Sequence, residues 1–105
     1  MAFSRNAPAG LTSPVFQRIV LNSTATALNS TAGAGSAFWL SVETQNARVR
    51  FDGTSPTANT GTLLLTANSP YYFEGVFNAA SKMKFVAVTG SPVLQVNSFK
   101  RVGDQ

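Results

Sequence analysis

The stretch FWLSVETQNARVRFD, residues 38–52, decides the fold class. Phe38, Leu40 and Val42 share one parity, and Ser41, Glu43 and Gln45 share the other. Beyond Asn46, the residues Ala47, Val49 and Phe51 alternate with Arg48, Arg50 and Asp52. A period of two on both sides of a short polar link reads as two half-buried strands, apolar side inward and polar side outward. The Gln45-Asn46 link is short enough for a hairpin, because Asn tolerates positive φ better than most residues. In such a hairpin Glu43 would face an outward Arg, and Phe51 would be a core aromatic whose truncation costs about 3 to 5 kcal/mol.

Working outward, the run from Val15 to Asn22 reads as a first strand, with Val15, Ile19 and Leu21 on one face and Phe16, Arg18 and Val20 on the other. Residues 23–36 hold Ser, Thr, Ala, Asn and Gly, enough for one short strand near 24–28 and a flexible Ala-Gly-Ala-Gly-Ser loop at 32–36. Residues 52–61, DGTSPTANTG, have the composition of a structured loop in which Asp52 caps the backbone two residues on and Gly53 takes positive φ. Further strands are expected at 62–66, 71–75, 82–89 and 93–100, the last two as a hairpin with Pro92 at an edge or first position. The expectation is an all-β chain: a single β-sandwich, jelly-roll-like or Ig-like, of seven to eight short antiparallel strands over residues 15–105. Residues 1–14, MAFSRNAPAGLTSP, show no period and read as an extended N-terminal arm.

Composition bears on function. With 105 residues the chain suits one domain. Leu, Ile, Val and Phe make up about a quarter of it, above the roughly 20% that marks disorder. No Cys and no His are present, which removes the thiolate nucleophile, the commonest general base and the commonest transition-metal ligand. The formal net charge of +4 comes from Lys and Arg scattered along the chain, so no nucleic-acid arm is indicated, and no apolar run reaches the length of a membrane helix.

The carboxylates are Glu43, Asp52, Glu74 and Asp104, and their spacing selects no acid–base pair. Ser81 and Lys82 are adjacent but do not form a Ser-x-x-Lys tetrad. A hard-cation site from Asp52, Thr54 and Asn59 would have one carboxylate for charge compensation, against the simpler reading of an Asx turn. No catalytic residue, cofactor or metal is therefore expected. Trp39, Tyr71, Tyr72 and Phe73 could stack on sugar, could bind single-stranded nucleic acid with help from Arg48 and Arg50, or could pack in the core or a subunit interface, and Trp39 lies opposite in parity to the core residues around it. Outward Arg48, Arg50, Lys82 and Lys84 make a basic face if their strands are neighbours.

From Arg48 to Leu65 the residues RVRFDGTSPTANTGTLLL resemble a group of small tailed-bacteriophage virion proteins, in which an Arg-alternating strand leads into Asp-Gly-Thr-x-Pro-Thr and an apolar strand. The similarity extends over about residues 17–100, closing with strands at 82–88 and 94–99. The resemblance implies a non-enzymatic virion structural protein made in the host cytoplasm. It would be a capsid decoration (cement) protein on the outer surface of the head or a neck, collar or tail accessory protein. The implied partners are the major capsid protein or other virion proteins and further copies of the chain, a trimer being the expectation, with no membrane and no specific nucleic acid. Asp52, Gly53, Thr54, Pro56, Thr57 and Gly61 stand as loop determinants of that pattern. Candidate subunit or capsid contacts are Phe3, Arg5 and Leu11 on the arm, Trp39, and the strand residues Arg48 and Arg50. A carbohydrate-binding host-attachment module is the alternative that the aromatics leave open.

Overall fold

The computed structural model describes residues 11–76 and 78–101. The described residues form an all-β sandwich of two four-stranded antiparallel sheets. The strands are β1 (Leu11–Val20), β2 (Thr26–Ala27), β3 (Ala37–Glu43), β4 (Ala47–Arg50), β5 (Leu63–Leu65), β6 (Tyr71–Glu74), β7 (Lys84–Ala87) and β8 (Val93–Arg101). The first sheet has the order β1-β8-β3-β6 and the second β2-β7-β4-β5. Strands pair as β1 with β8, β2 with β7, β3 with β6 and β4 with β5, as if one long hairpin had been rolled up. The contacts of β3 with β8 and of β4 with β7 then close each sheet. This is the strand order of a jelly roll rather than of an Ig-like sandwich.

Rolling a hairpin makes every chain connection except β4 to β5 cross from one sheet to the other. The expected hairpin at Gln45-Asn46 is therefore a corner: β3 and β4 keep their predicted facing but belong to different sheets and meet across the core. Thr44, at φ 78°, makes the turn. Gln45 and Asn46 fix it, since Asn46 Oδ1 accepts the Ala67 N–H at 2.8 Å and Gln45 Oε1 accepts the Ser91 N–H at 3.0 Å. The expected β7–β8 hairpin is likewise a crossing, and Pro92 is buried just ahead of a central strand, where its carbonyl accepts the Leu21 N–H. Glu43 does not face an Arg; its carboxylate accepts the Gln95 side-chain amide at 3.3 Å.

The core lies between the sheets, where Phe38, Leu40 and Val42 from the first meet Ala47, Val49, Leu65 and Phe85 from the second. Phe51 is only half-buried at the rim, in edge-to-face contact with Phe73 at 5.2 Å. Its predicted weight in the core is too large, because β4 ends at Arg50 and Phe51 starts the loop.

Three local elements differ from expectation. The loop at 32–36 opens as a single 3-10 turn (Ala32–Ala34) packed on α1 (Ala79–Lys82), a one-turn helix in the expected link ahead of the strand at 82, of which it takes only Lys82. The approach is so close that a Cβ on Gly33 would lie 2.6 Å from Ala80 Cα, which is why the Gly-rich stretch is ordered against a neighbour. At the other end, β1 begins at Leu11, before the expected Val15, so the sandwich takes in part of the anticipated arm. A register shift between Thr12 and Val15 accommodates Pro14, whose missing N–H suits an edge strand with a bulge.

Candidate functional site

The outer face of the first sheet carries the candidate site. Strand register aligns Phe16 of β1 with Asn97 of β8, Asn97 with Trp39 of β3, and Trp39 with Tyr72 of β6, so one row crosses all four strands. Phe16 is 59% and Trp39 47% exposed. The two residues lie on either side of β8, their backbones about 10 Å apart at two strand spacings. Between them lies a shallow depression of about 210 Å³ that Ser41, Gln95 and Asn97 line with polar groups. One side of it is stiffened by Trp39 and Tyr72, whose rings sit 5.0 Å apart, and the Tyr72 hydroxyl donates to Glu74 Oε2 at 2.9 Å. Farther along the face Val20 is 53% exposed.

Of the four residues weighed as a stacking platform, Trp39 and Tyr72 are brought together on the outer face, whereas Tyr71 and Phe73 pack against the core. Alternation along β6 turns Tyr71 toward the core, where it stacks on Phe73 at 6.3 Å and its hydroxyl accepts the Thr66 N–H. Phe16, Gln95 and Asn97 were not singled out from the sequence. The outward parity of Phe16 is visible there, but its alignment with Trp39 depends on a register between strands from opposite ends of the chain.

Of the four residues expected to make a basic face, Arg48, Arg50 and Lys84 lie on the outer surface of the second sheet, whereas Lys82 ends α1. Arg50 lies across from Lys84, and Arg48 across from Val86 and Leu64. The 52–61 loop folds back over this surface: Arg48 Nε donates to the Ala58 carbonyl at 2.9 Å, Pro56 is buried, and a Cβ on Gly61 would touch Arg48. Arg50 forms an ion pair with Asp52 at 2.6 Å. The Asp52 carboxyl is held well below the usual carboxylate range, chiefly by the Arg50 hydrogen bond and then by the Thr54 N–H, and the same pair raises Arg50. The Asx turn is as expected, with Thr54 N–H donating to Asp52 Oδ1 at 3.1 Å and Gly53 at φ 84°. Thr57 and Thr60 close the loop tip through their hydroxyls at 2.7 Å. Two of the expected contact residues are thus engaged within the subunit, Arg48 as a fastener of the loop and Arg50 as the partner of Asp52.

Phe3 and Arg5, with the rest of residues 1–10, lie outside the described residues. Leu11 is placed as the first residue of β1, opposite Arg101. Among the described residues, no group of three or more His, Cys, Asp or Glu could hold a metal ion, and no helix is long and apolar enough to cross a membrane. No family profile, curated protein or solved structure matches this chain.

Proposed function

We propose that this chain is a non-enzymatic virion structural protein, a decoration protein that binds the outer surface of a tailed-phage head and stabilises contacts between capsomers. The observation carrying the reading is the aromatic row on the outer face of the first sheet, with Phe16 and Trp39 exposed on strands that both pair with β8. Exposed aromatics set in a polar surrounding are the usual core of a protein contact. Ser41, Gln95 and Asn97 between the rings are uncharged and the charges of the face, Arg18, Glu43 and Glu74, flank them, so covering its centre desolvates few ions.

Size points to many copies. A face four strands wide and about six residues long measures about 20 by 20 Å, roughly 400 Å². That is about half of what one partner contributes to a standard stable interface. Such a face holds weakly as a single contact and firmly when an oligomer engages a repeating lattice. The test is copy number, read by quantitative mass spectrometry on purified particles. Hundreds of copies per virion support decoration. A dozen or fewer would instead support a neck, collar or tail accessory protein.

A second reading, a carbohydrate-binding host-attachment module, is favoured by one feature. The amides of Asn97 and Gln95 floor a groove walled by Phe16 and Trp39, a combination that can stack on a sugar ring and bond its hydroxyls. Binding on a glycan array that disappears in Trp39→Ala would support it, and an array without signal removes it.

A further inference from the structure

The four outer strands of the two sheets are unequal. β2, β5 and β6 are two, three and four residues long, whereas β1 has ten. Short edges are one of the ways in which sheet proteins avoid pairing with other chains. Three edges of this sandwich are blunted in that way, and β1 is not. Its stretch from Val15 to Val20 is rich in β-branched and aromatic residues and carries one charge, Arg18.

Which backbone groups face the open edge follows from one hydrogen bond. Leu21 N–H donates to the Pro92 carbonyl at 2.8 Å, on the β8 side. Because backbone groups alternate along a strand, Val15, Gln17 and Ile19 also point toward β8. The N–H and C=O groups of Phe16, Arg18 and Val20 point outward from the sheet. We infer that β1 pairs antiparallel with β1 of a second copy about a two-fold axis at Gln17, joining two first sheets into one continuous eight-stranded sheet.

Charge and ring chemistry select that register. Centring the pair on Gln17 sets Phe16 opposite Arg18 of the second copy, and Arg18 opposite Phe16, as two hydrogen-bonded pairs that also bring a guanidinium against an aromatic ring. Centring on Arg18 would put two like charges face to face, which is unfavourable. Centring on Phe16 would run each strand end into the irregular segment around Pro14. Such a contact uses the same patch on both copies and closes at two, or at an even number of subunits, in place of the trimer expected from the sequence. It does not depend on the virion reading, because it concerns the purified chain in solution.

The experiment is sedimentation equilibrium of the purified protein and its Arg18→Pro variant, with a cysteine variant to fix the register. Proline at position 18 removes an edge N–H that the subunit itself does not use, so it is compatible with the fold. The wild type should sediment at about 22 kDa or an even multiple of the 11.1 kDa chain, and Arg18→Pro at the single-chain mass with an unchanged circular dichroism spectrum. A monomeric wild type overturns the inference, as does an oligomer that survives Arg18→Pro and dissociates in Trp39→Ala. If Arg18→Pro fails to fold, Gln17→Cys decides. The chain has no other Cys, so a disulfide must join two copies. In this register the two Gln17 Cα atoms lie about 4.5 Å apart, within disulfide range. Oxidation should convert Gln17→Cys largely to covalent dimer; preferential cross-linking of Arg18→Cys over Gln17→Cys would overturn the register.

Discussion

The two sheets present opposite outer faces, although the same alternation of apolar and polar residues built both. On the second sheet the chain covers much of its own face: the 52–61 loop lies back over Arg48 and Arg50 is neutralised by Asp52, with Leu64 left partly exposed. On the first sheet Phe16, Val20 and Trp39 stand exposed, and the long β1 lies at its edge. An outward parity therefore has two meanings. It marks a surface that the chain itself fastens down, or one left for another molecule, and only the path of the loops separates the two.

The comparison can be broken most severely from between the sheets. Phe38 is fully buried, and Phe38→Ala should cost about 3 to 5 kcal/mol in a denaturant melt. Phe51, at the rim, should cost only about 1 to 2 kcal/mol, and equal losses at the two positions would contradict the rim placement. Gly33→Ala should cost about 1 to 3 kcal/mol, because the new methyl has to push α1 away from the 3-10 turn. An unchanged melt would mean that the two elements separate freely.

Smaller effects sharpen the contrast of the outer faces. Arg48→Ala should cost about 1 kcal/mol and speed amide exchange at Thr60 and Thr62, since the hydrogen bond that holds the loop is lost. Trp39→Ala, on the open face, should cost about 1 kcal/mol, the loss of its contact with the Tyr72 ring. A larger loss there would make Trp39 a structural residue instead of a contact. Asp52 gives the smallest effect and a pH signature. Its carboxyl is depressed in the folded chain, so its contribution is present above the ordinary carboxylate pKa and is lost as pH falls through the lower, folded value. An NMR titration down to about pH 3 should find Asp52 still ionised, and Arg50→Ala should return its inflection toward the usual range near 4.

Much of the fold was legible because facing is local. Parity placed Phe38, Leu40, Val42, Ala47 and Val49 inward and Phe16, Arg18 and Trp39 outward, and Asp52-Gly53 announced the loop. Pairing was not local. Gln45-Asn46 has the chemistry of a hairpin, yet the chain turns there into the other sheet, because the Asn46 and Gln45 side chains bond Ala67 and Ser91, far along the sequence. The helical turn at 79–82 escaped a period-two reading for a related reason: it is set by packing against Gly33. Of the candidate site, Trp39 could be found by parity alone. The row through Phe16, Asn97 and Tyr72 exists only once the register of four strands is known.

Trp39 is the single tryptophan of the chain, so its fluorescence reports on the open face alone. Titration of the protein with phage heads stripped of it, followed by acrylamide quenching, tests whether this face is the one that binds. Emission should shift to shorter wavelength and quenching should fall severalfold as the protein binds. Full binding with unchanged emission and unchanged quenching would show that the first sheet's outer face stays in water, and would contradict its role as the binding surface.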